Sequence, residues 1–430
     1  MTSIRVITLG CSKNTVDTEH LLGALPPEEF DVHPESDGSY VDILLLNTCG
    51  FISDAKQESI EAILQAVEAK KAGLAGRVAV MGCLSQRYRR ALPPEIPEVD
   101  AWFGARDLGE VVRWLGARMS DAPARRITIP GRGYAYLKIS EGCDRRCSYC
   151  AIPFIRGSHR SVRMDVLMEE ARSLAAGGVK ELILIAQDTT YYGLDLYGRR
   201  MLGELLRSLS TIEGIEWLRI HYSYPADFPS DVLEQMATNP KVCKYLDIPL
   251  QHISDGVLSN MRRRVDGQWT RALIERLRSE VPGVVLRTTM IVGHPGEGEK
   301  EFGELLDFVK QARFERLGAF AYSEEEGTYG ARHFRDEVPQ KIKQERLDRL
   351  LELQQEISSE YCESRVGSVE RVMVDDWVDG TLVCRSRSES PEVDGEILVK
   401  APASARSLVG NFIDVRIVSA SEYDMVAEML

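Results

Sequence analysis

Apolar positions near the start of the chain fall into short runs of strand type, Ile4 to Leu9, Asp42 to Leu46 and Arg77 to Met81. Between them the spacing turns helical, as in Asp54 to Lys71, where Ile60, Ile63, Leu64 and Val67 share one side. Strands alternating with helices predict a parallel sheet with right-handed crossovers, so the carboxyl ends of its strands share one edge. The alternation resumes at Tyr136 to Ser140, Glu181 to Ala186, Trp217 to His221, Tyr245 to Ile248, Val284 to Val292 and Arg316 to Ala321. Amphipathic helices such as Val166 to Ala175 and Gln268 to Glu280 lie between them. This second series predicts a partial (β/α) TIM-like barrel with its site at the carboxyl ends of the strands.

Pro339 to Arg365 then reads as a long charged helix with Ile342, Leu347, Leu350, Leu351 and Ile357 on its apolar side, a connector packed on the barrel. Past it the period drops to two. Val369 to Val374, Thr381 to Arg385, Glu396 to Lys400 and Asp414 to Val418 are short strands joined by Asp379-Gly380 and Asp394-Gly395 turns, predicting a small antiparallel β-barrel. The chain is therefore read as α/β: an N-terminal sheet domain over 1–118, a linker over 119–133, a barrel over 134–338, a connecting helix over 339–364 and a β-barrel over 365–430.

Composition bounds the function classes. With 430 residues, 44% hydrophobic and 28% charged, the chain has room for two or three globular domains. No apolar run approaches the roughly 20 residues of a membrane span, and the first residues carry no secretory pattern, so a cytoplasmic protein is expected. A net charge of −13 argues against general binding of polyanions. The short basic tract Arg262-Arg263-Arg264 is read as a solvated helix end.

Six of the nine cysteines carry the chemistry. Cys143, Cys147 and Cys150 sit on one loop directly after a predicted strand. Three thiolates this close can hold three irons of a cubane cluster and leave its fourth iron open. A structural zinc site needs a fourth ligand, and only His159 lies nearby. Cys11, Cys49 and Cys83 each follow one of the first three strands, so parallel topology should gather them at one edge. Burial as small hydrophobes is the competing reading of each one alone; three at equivalent positions favour a second cluster. Cys243, Cys362 and Cys384 fit neither pattern and are read as structural.

A Cys-x3-Cys-x2-Cys loop after the first strand of such a barrel resembles the radical S-adenosylmethionine superfamily. Three strand-end cysteines before it and a TRAM-like β-barrel after it narrow the resemblance to the methylthiotransferases, over essentially the whole chain. Gly10-Cys-Ser-Lys-Asn14, Asn47-Thr-Cys-Gly-Phe-Ile52, Ala151-Ile-Pro-Phe-Ile-Arg-Gly-Ser158, Ile185-Ala-Gln-Asp-Thr-Thr190 and Asp247-Ile-Pro-Leu-Gln-His252 look like the type that modifies an aspartate of a small-subunit ribosomal protein. The resemblance implies two [4Fe-4S] clusters, held by Cys11, Cys49 and Cys83 and by Cys143, Cys147 and Cys150, together with S-adenosyl-L-methionine. It further implies a 5′-deoxyadenosyl radical that removes hydrogen from the aspartate β-carbon, a methyl group drawn from a second cofactor molecule, and an external electron donor.

Around the cofactor the resemblance places Tyr149, Arg156, Gln187, Gln251, Gly293 and Glu297, each with a plainer structural reading as shield, surface charge, cap or turn. Asp188, His252, Gly296 and Arg160 share the same rim. Two positions depart from the family pattern: valine at 162 shifts Arg163, and His294 stands where an aromatic is usual. From 365 onward the chain has seven basic against twelve acidic residues, which suits a basic protein surface better than RNA. A transfer-RNA adenosine methylthiotransferase and a non-catalytic zinc-containing ribosome-binding protein are the alternatives.

Overall fold

The computed structural model describes residues 1–35, 37–117, 125, 127 and 131–430; most of the expected linker, 119–133, lies outside these. The first sheet contains β1 (Thr2–Thr8), β2 (Phe30–His33), β3 (Val41–Thr48), β4 (Ala75–Gly82) and β5 (Ala101–Trp102). They are ordered β2-β1-β3-β4-β5 and every pairing is parallel. The three strands that precede cysteines are thus immediate neighbours at the sheet centre. Ile43, Leu45, Ala79 and Met81 face one helical layer and Leu44, Leu46, Val78 and Val80 the other, as a two-sided parallel sheet requires.

The second sheet is built from β6 (Tyr134–Lys138), β9 (Glu181–Ile185), β10 (Trp217–Ile220), β11 (Val242–Asp247), β12 (Val285–Val292) and β13 (Arg316–Ala321). Its order is β13-β12-β11-β10-β9-β6, parallel throughout, with no pairing between β13 and β6. This is an open, partial barrel. Leu137, Leu184, Leu218 and Leu246 pack on the surrounding helices, whereas Tyr134, Tyr136, Ile183 and Ile185 of the alternate register pack with Val16 of the first domain. A small ribbon of β7 (Ser140–Glu141) and β8 (Arg160–Ser161) brackets the Cys143–Cys150 loop.

The helix Gln340–Ser364 buries Leu350 and Ile357 against the barrel core. A closed barrel follows, of β14 (Val369–Val378), β15 (Thr381–Arg385), β16 (Ile397–Lys400), β17 (Phe412–Ala420) and β18 (Met425–Met429). Its pairs are antiparallel except β16 with β18, which closes the ring in parallel. Residues 386–394, between β15 and β16, turn back into the open half-barrel. There Ser390 Oγ meets His221 Nε2 at 2.7 Å, Tyr245 donates to Asp394 at 2.6 Å, Tyr136 donates to Glu392 at 2.9 Å and Arg316 pairs with Glu389 at 2.9 Å. Among the described residues no helix is long and apolar enough to cross a membrane.

Candidate active site

Two cysteine sets lie in neighbouring domains, linked by Arg156, which follows the second loop and reaches Cys83 of the first. In the first set the strand-end loops meet as closely as backbone permits. Gly10, before Cys11, has φ +92°, and a Cβ there would lie 2.6 Å from the Cβ of Cys49. Gly50, after Cys49, abuts the next loop: its Cβ would lie 2.6 Å from Leu84 Cα and 3.0 Å from the Cys83 carbonyl carbon. Glycine is what allows the three loops to converge. Cys49 and Cys83 are buried while Cys11 is exposed, and all three are free thiols. Burial pushes the Cys83 thiol up to about 12 and raises Cys49, so the pair is protonated unless a cation draws the protons off.

In the second set, Cys143, Cys147 and Cys150 line one cavity of about 570 Å³ together with Phe154, Arg262 and Tyr329. The loop is pinned by backbone bonds from Cys143 N to Gly157 O (2.9 Å), from Ser148 N to Met261 O (3.0 Å) and from Gly330 N to Ser148 O (2.7 Å). Burial pushes Cys143 up to about 12 and raises Cys150 further. Among the described residues no three His, Cys, Asp or Glu side chains converge on one point as a single shared ion requires. A cluster of several irons accepts thiols spread more widely, and three thiols lining one cavity fit it.

Each set is served by one buried arginine. Arg263, only 4% exposed, points Nη1 at Cys147 Sγ (3.6 Å) and at the Tyr149 hydroxyl (3.4 Å), with its guanidinium over the ring of Tyr224 at 4.3 Å. Arg262 and Arg264 on either side take positive φ (58° and 57°) and remain exposed, which turns the middle side chain inward. The tract read as a solvated helix end therefore holds an interior ligand-facing residue. Arg156, 1% exposed, donates from Nε to Cys83 Sγ at 3.2 Å and from Nη2 to Asn14 Oδ1 at 2.5 Å. Its Nη1 bonds Asp17 (2.8 Å) and Glu141 (2.9 Å), both of which also pair with Lys138.

Arg156 thus comes off the second cysteine loop and reaches the first cysteine set, instead of meeting the cofactor as the sequence suggested. Burial favours a neutral Glu141, but Lys138 and Arg156 beside it hold its carboxyl down at about 2. Gln187 donates to the same carboxylate at 2.9 Å, leaving its own Oε1 buried without a partner among the described residues. Asp188 caps Thr190 N at 3.0 Å and holds Arg145 at 2.9 Å.

The remaining expected residues divide. Gln251 has φ +77°, is 8% exposed and leaves Oε1 buried and unbonded among the described residues, aimed from the end of β11. Tyr149 packs with Cys147, Tyr224 and Ala226. Glu297, expected at the cofactor, is consumed elsewhere: it accepts from Gly293 N (2.8 Å), pairs with His252 (3.1 Å) and holds Arg346 of the long helix (2.9 Å). Gly293 gives this turn its φ of +74° beside Lys343, and Gly296 lies against Asn260. His294 is fully buried between Tyr149, Tyr322 and Phe334, and burial lowers its pKa to about 4, so it is neutral. Arg163 pairs with Asp165 on the surface, and Arg160 is exposed.

Comparison with known proteins gives this geometry its context. Residues 3–104 match the uncharacterized protein family UPF0004, residues 137–309 the radical SAM superfamily and residues 366–430 the TRAM domain. The ribosomal protein uS12 methylthiotransferase RimO of Porphyromonas gingivalis is 51% identical over 428 residues, covering 99% of both chains. The chain belongs to the RimO family. The relative of the same name from Bacteroides thetaiotaomicron is 48% identical over 429 residues, covering 99% of this chain and 98% of its own.

Among solved structures, the radical S-adenosylmethionine methyltransferase TsrM of Kitasatospora setae, solved with cobalamin and a [4Fe-4S] cluster, superposes with a TM-score of 0.57 at 15% identity. The match covers 75% of each chain and shares the fold. Within this family member, Lys138, Glu141, Asp17 and Arg263 are the site residues that sequence patterning passed over. Glu141 stands two positions before Cys143, Lys138 five before it and Asp17 six past Cys11, but nothing in their spacing marks them as buried.

Proposed function

We propose that the protein is a radical S-adenosylmethionine methylthiotransferase that places a methylthio group on the β-carbon of an aspartate of ribosomal protein uS12. Relatives of that name, near 50% identical over the whole length, carry the reading. The grouping of six cysteines into two sets supports its finer parts. In this reading Cys143, Cys147 and Cys150 hold a [4Fe-4S] cluster with an open iron, and Cys11, Cys49 and Cys83 hold a second. When bound, the first cluster and S-adenosyl-L-methionine supply a 5′-deoxyadenosyl radical that removes a hydrogen atom from the target carbon.

The chain's own residues do the positioning. Arg263 donates to Cys147 and stiffens the loop, and Tyr149 and Tyr224 keep water from its sulfurs. Arg156 fixes the spacing of the two sets through Cys83, Asp17 and Glu141. The unbonded oxygens of Gln187 and Gln251 are the free acceptors for an ammonium group such as the cofactor's. Residues 1–118, 134–338 and 365–430 serve as sulfur-cluster domain, radical barrel and protein-docking barrel, in a cytoplasmic enzyme drawing electrons from an external donor.

Anaerobically reconstituted protein should contain about eight irons per chain, against about four for a single cluster. Incubated with reductant and cofactor, it should add the methylthio mass to uS12. Modification of transfer RNA alone would replace this reading with the RNA alternative, and zinc without iron would remove the radical chemistry.

A further inference from the structure

Lys13 differs from the other cations at this seam. It lies in the first turn of α1 (Ser12–Gly23), two residues past Cys11, and is 8% exposed. Its ammonium has no hydrogen-bond or ion-pair partner among the described residues; it sits 3.0 Å above the ring centroid of Tyr222. Buried cations elsewhere at this seam, Lys138 and Arg156, each meet two carboxylates. Only the stem is buried: Nζ remains in reach of solvent at the cleft, where an anion can pair with it.

The surroundings show where such an anion would sit. Tyr222 lies two residues past β10 at the carboxyl edge of the half-barrel and is held at φ +57°. Gln187 and Gln251, at the ends of the flanking strands β9 and β11, each leave a buried oxygen unbonded, and Gln251 also has positive φ. Two strained residues and two orphaned acceptors on adjacent strand ends mark a ligand mouth. Lys13 enters it from the first domain, two residues past Cys11.

We propose that Lys13 is the carboxylate anchor of the target aspartate, holding the side chain between the two cysteine sets. This deepens the functional reading above and rests on it. The β-carbon is bonded directly to the carboxylate carbon. An ammonium about 2.8 Å from a carboxylate oxygen therefore fixes the reacting carbon more tightly than any contact with the peptide backbone. A cofactor bound beside Cys143, Cys147 and Cys150 would be held at that second set, which leaves Lys13, two residues past Cys11 of the first set, for the substrate. The same cation sets specificity: an uncharged target would leave it unpaired.

The test uses the full-length reconstituted protein and two synthetic peptides spanning the modified loop of uS12, one with the target aspartate and one with asparagine. Binding is read by fluorescence anisotropy without reductant, so no turnover enters. Wild type should prefer the aspartate peptide by about ten- to a hundredfold, the range expected for a charged hydrogen bond. Lys13→Met should erase the preference while leaving the asparagine peptide unaffected, and Lys13→Arg should retain part of it. Under turnover the KM for the aspartate peptide should rise by the same factor. Discrimination that persists in Lys13→Met overturns the proposal. So does equal weakening for both peptides with loss of iron, which would make Lys13 a support for the first cysteine set. Wild-type protein that modifies neither peptide nor intact uS12 overturns the functional reading itself, whatever Lys13 does.

Discussion

Replacing Arg156 by Met tests whether one guanidinium ties the two cysteine sets together. The side chain is 1% exposed and bonds Asp17 at 2.8 Å, Glu141 at 2.9 Å and Cys83 at 3.2 Å. Methionine fills similar volume but leaves two carboxylates to share the single ammonium of Lys138. Removing one partner from a buried ion network costs about 3–5 kcal/mol, and Lys138 keeps the loss near the lower figure. For the affected domains that is roughly 6–12 °C in Tm. Differential scanning calorimetry of the anaerobic protein measures it, with Arg163→Met as the control. That arginine is 70% exposed and pairs only with Asp165, so its loss should cost under about 1 kcal/mol. Hydrogen exchange should accelerate at Ser140–Gly142 and at Cys83–Ser85 together, because one side chain holds both. A melting point within about 2 °C of wild type, or faster exchange on one side alone, would refute the coupling.

Gly10→Ala should lose about 2 kcal/mol or more through its φ of +92° and the 2.6 Å approach to Cys49, and atomic absorption should show iron falling toward half. Cys49→Ala should remove the iron of the first set while the electron paramagnetic signal of the second persists in weakened form. Burial raises Glu389, but Arg365 and Arg316 override it and hold the carboxyl at about 2 against an ordinary 4.5. Its stabilisation is therefore complete above pH 4.5 and is lost as pH falls toward 2, a gap corresponding to about 3 kcal/mol. Denaturant titrations should show Glu389→Gln less stable at neutral pH and flatter across that acid window. Arg263→Met should shift the reduction potential of the Cys147 site downward by spectroelectrochemistry, with iron content unchanged.

The sheets were legible because long strands repeat a period: all nine strands read from the first two domains have counterparts within a few residues. The edge strands β2 and β5 went unread, since four and two residues carry too little alternation to stand out. β18 was missed too, and with it the parallel pair that closes the last barrel. At the site, convergence of Cys11, Cys49 and Cys83 followed from topology alone, because strand ends of one parallel sheet must share an edge. Side-chain destinations did not follow. Arg156 and Glu297 lie on the expected loops, but their partners, Cys83 and Arg346, come from segments 73 and 49 residues away. Arg263 looked solvated because its two neighbours are; positive φ on both sides decides the matter, and no composition rule reports it.

The segment 386–394 has a consequence for how the chain folds during synthesis. Arg316, His221, Tyr136 and Tyr245 face the hollow of the half-barrel, and their partners Glu389, Ser390, Glu392 and Asp394 lie far downstream. A half-barrel emerging first has an interior of unmatched polar groups, and it can seal only once nearly the entire chain has left the ribosome. The last domain is therefore the stopper of the catalytic one, and an iron site exposed before it arrives would be open to oxygen. Completion of the chain is the event that closes the vessel.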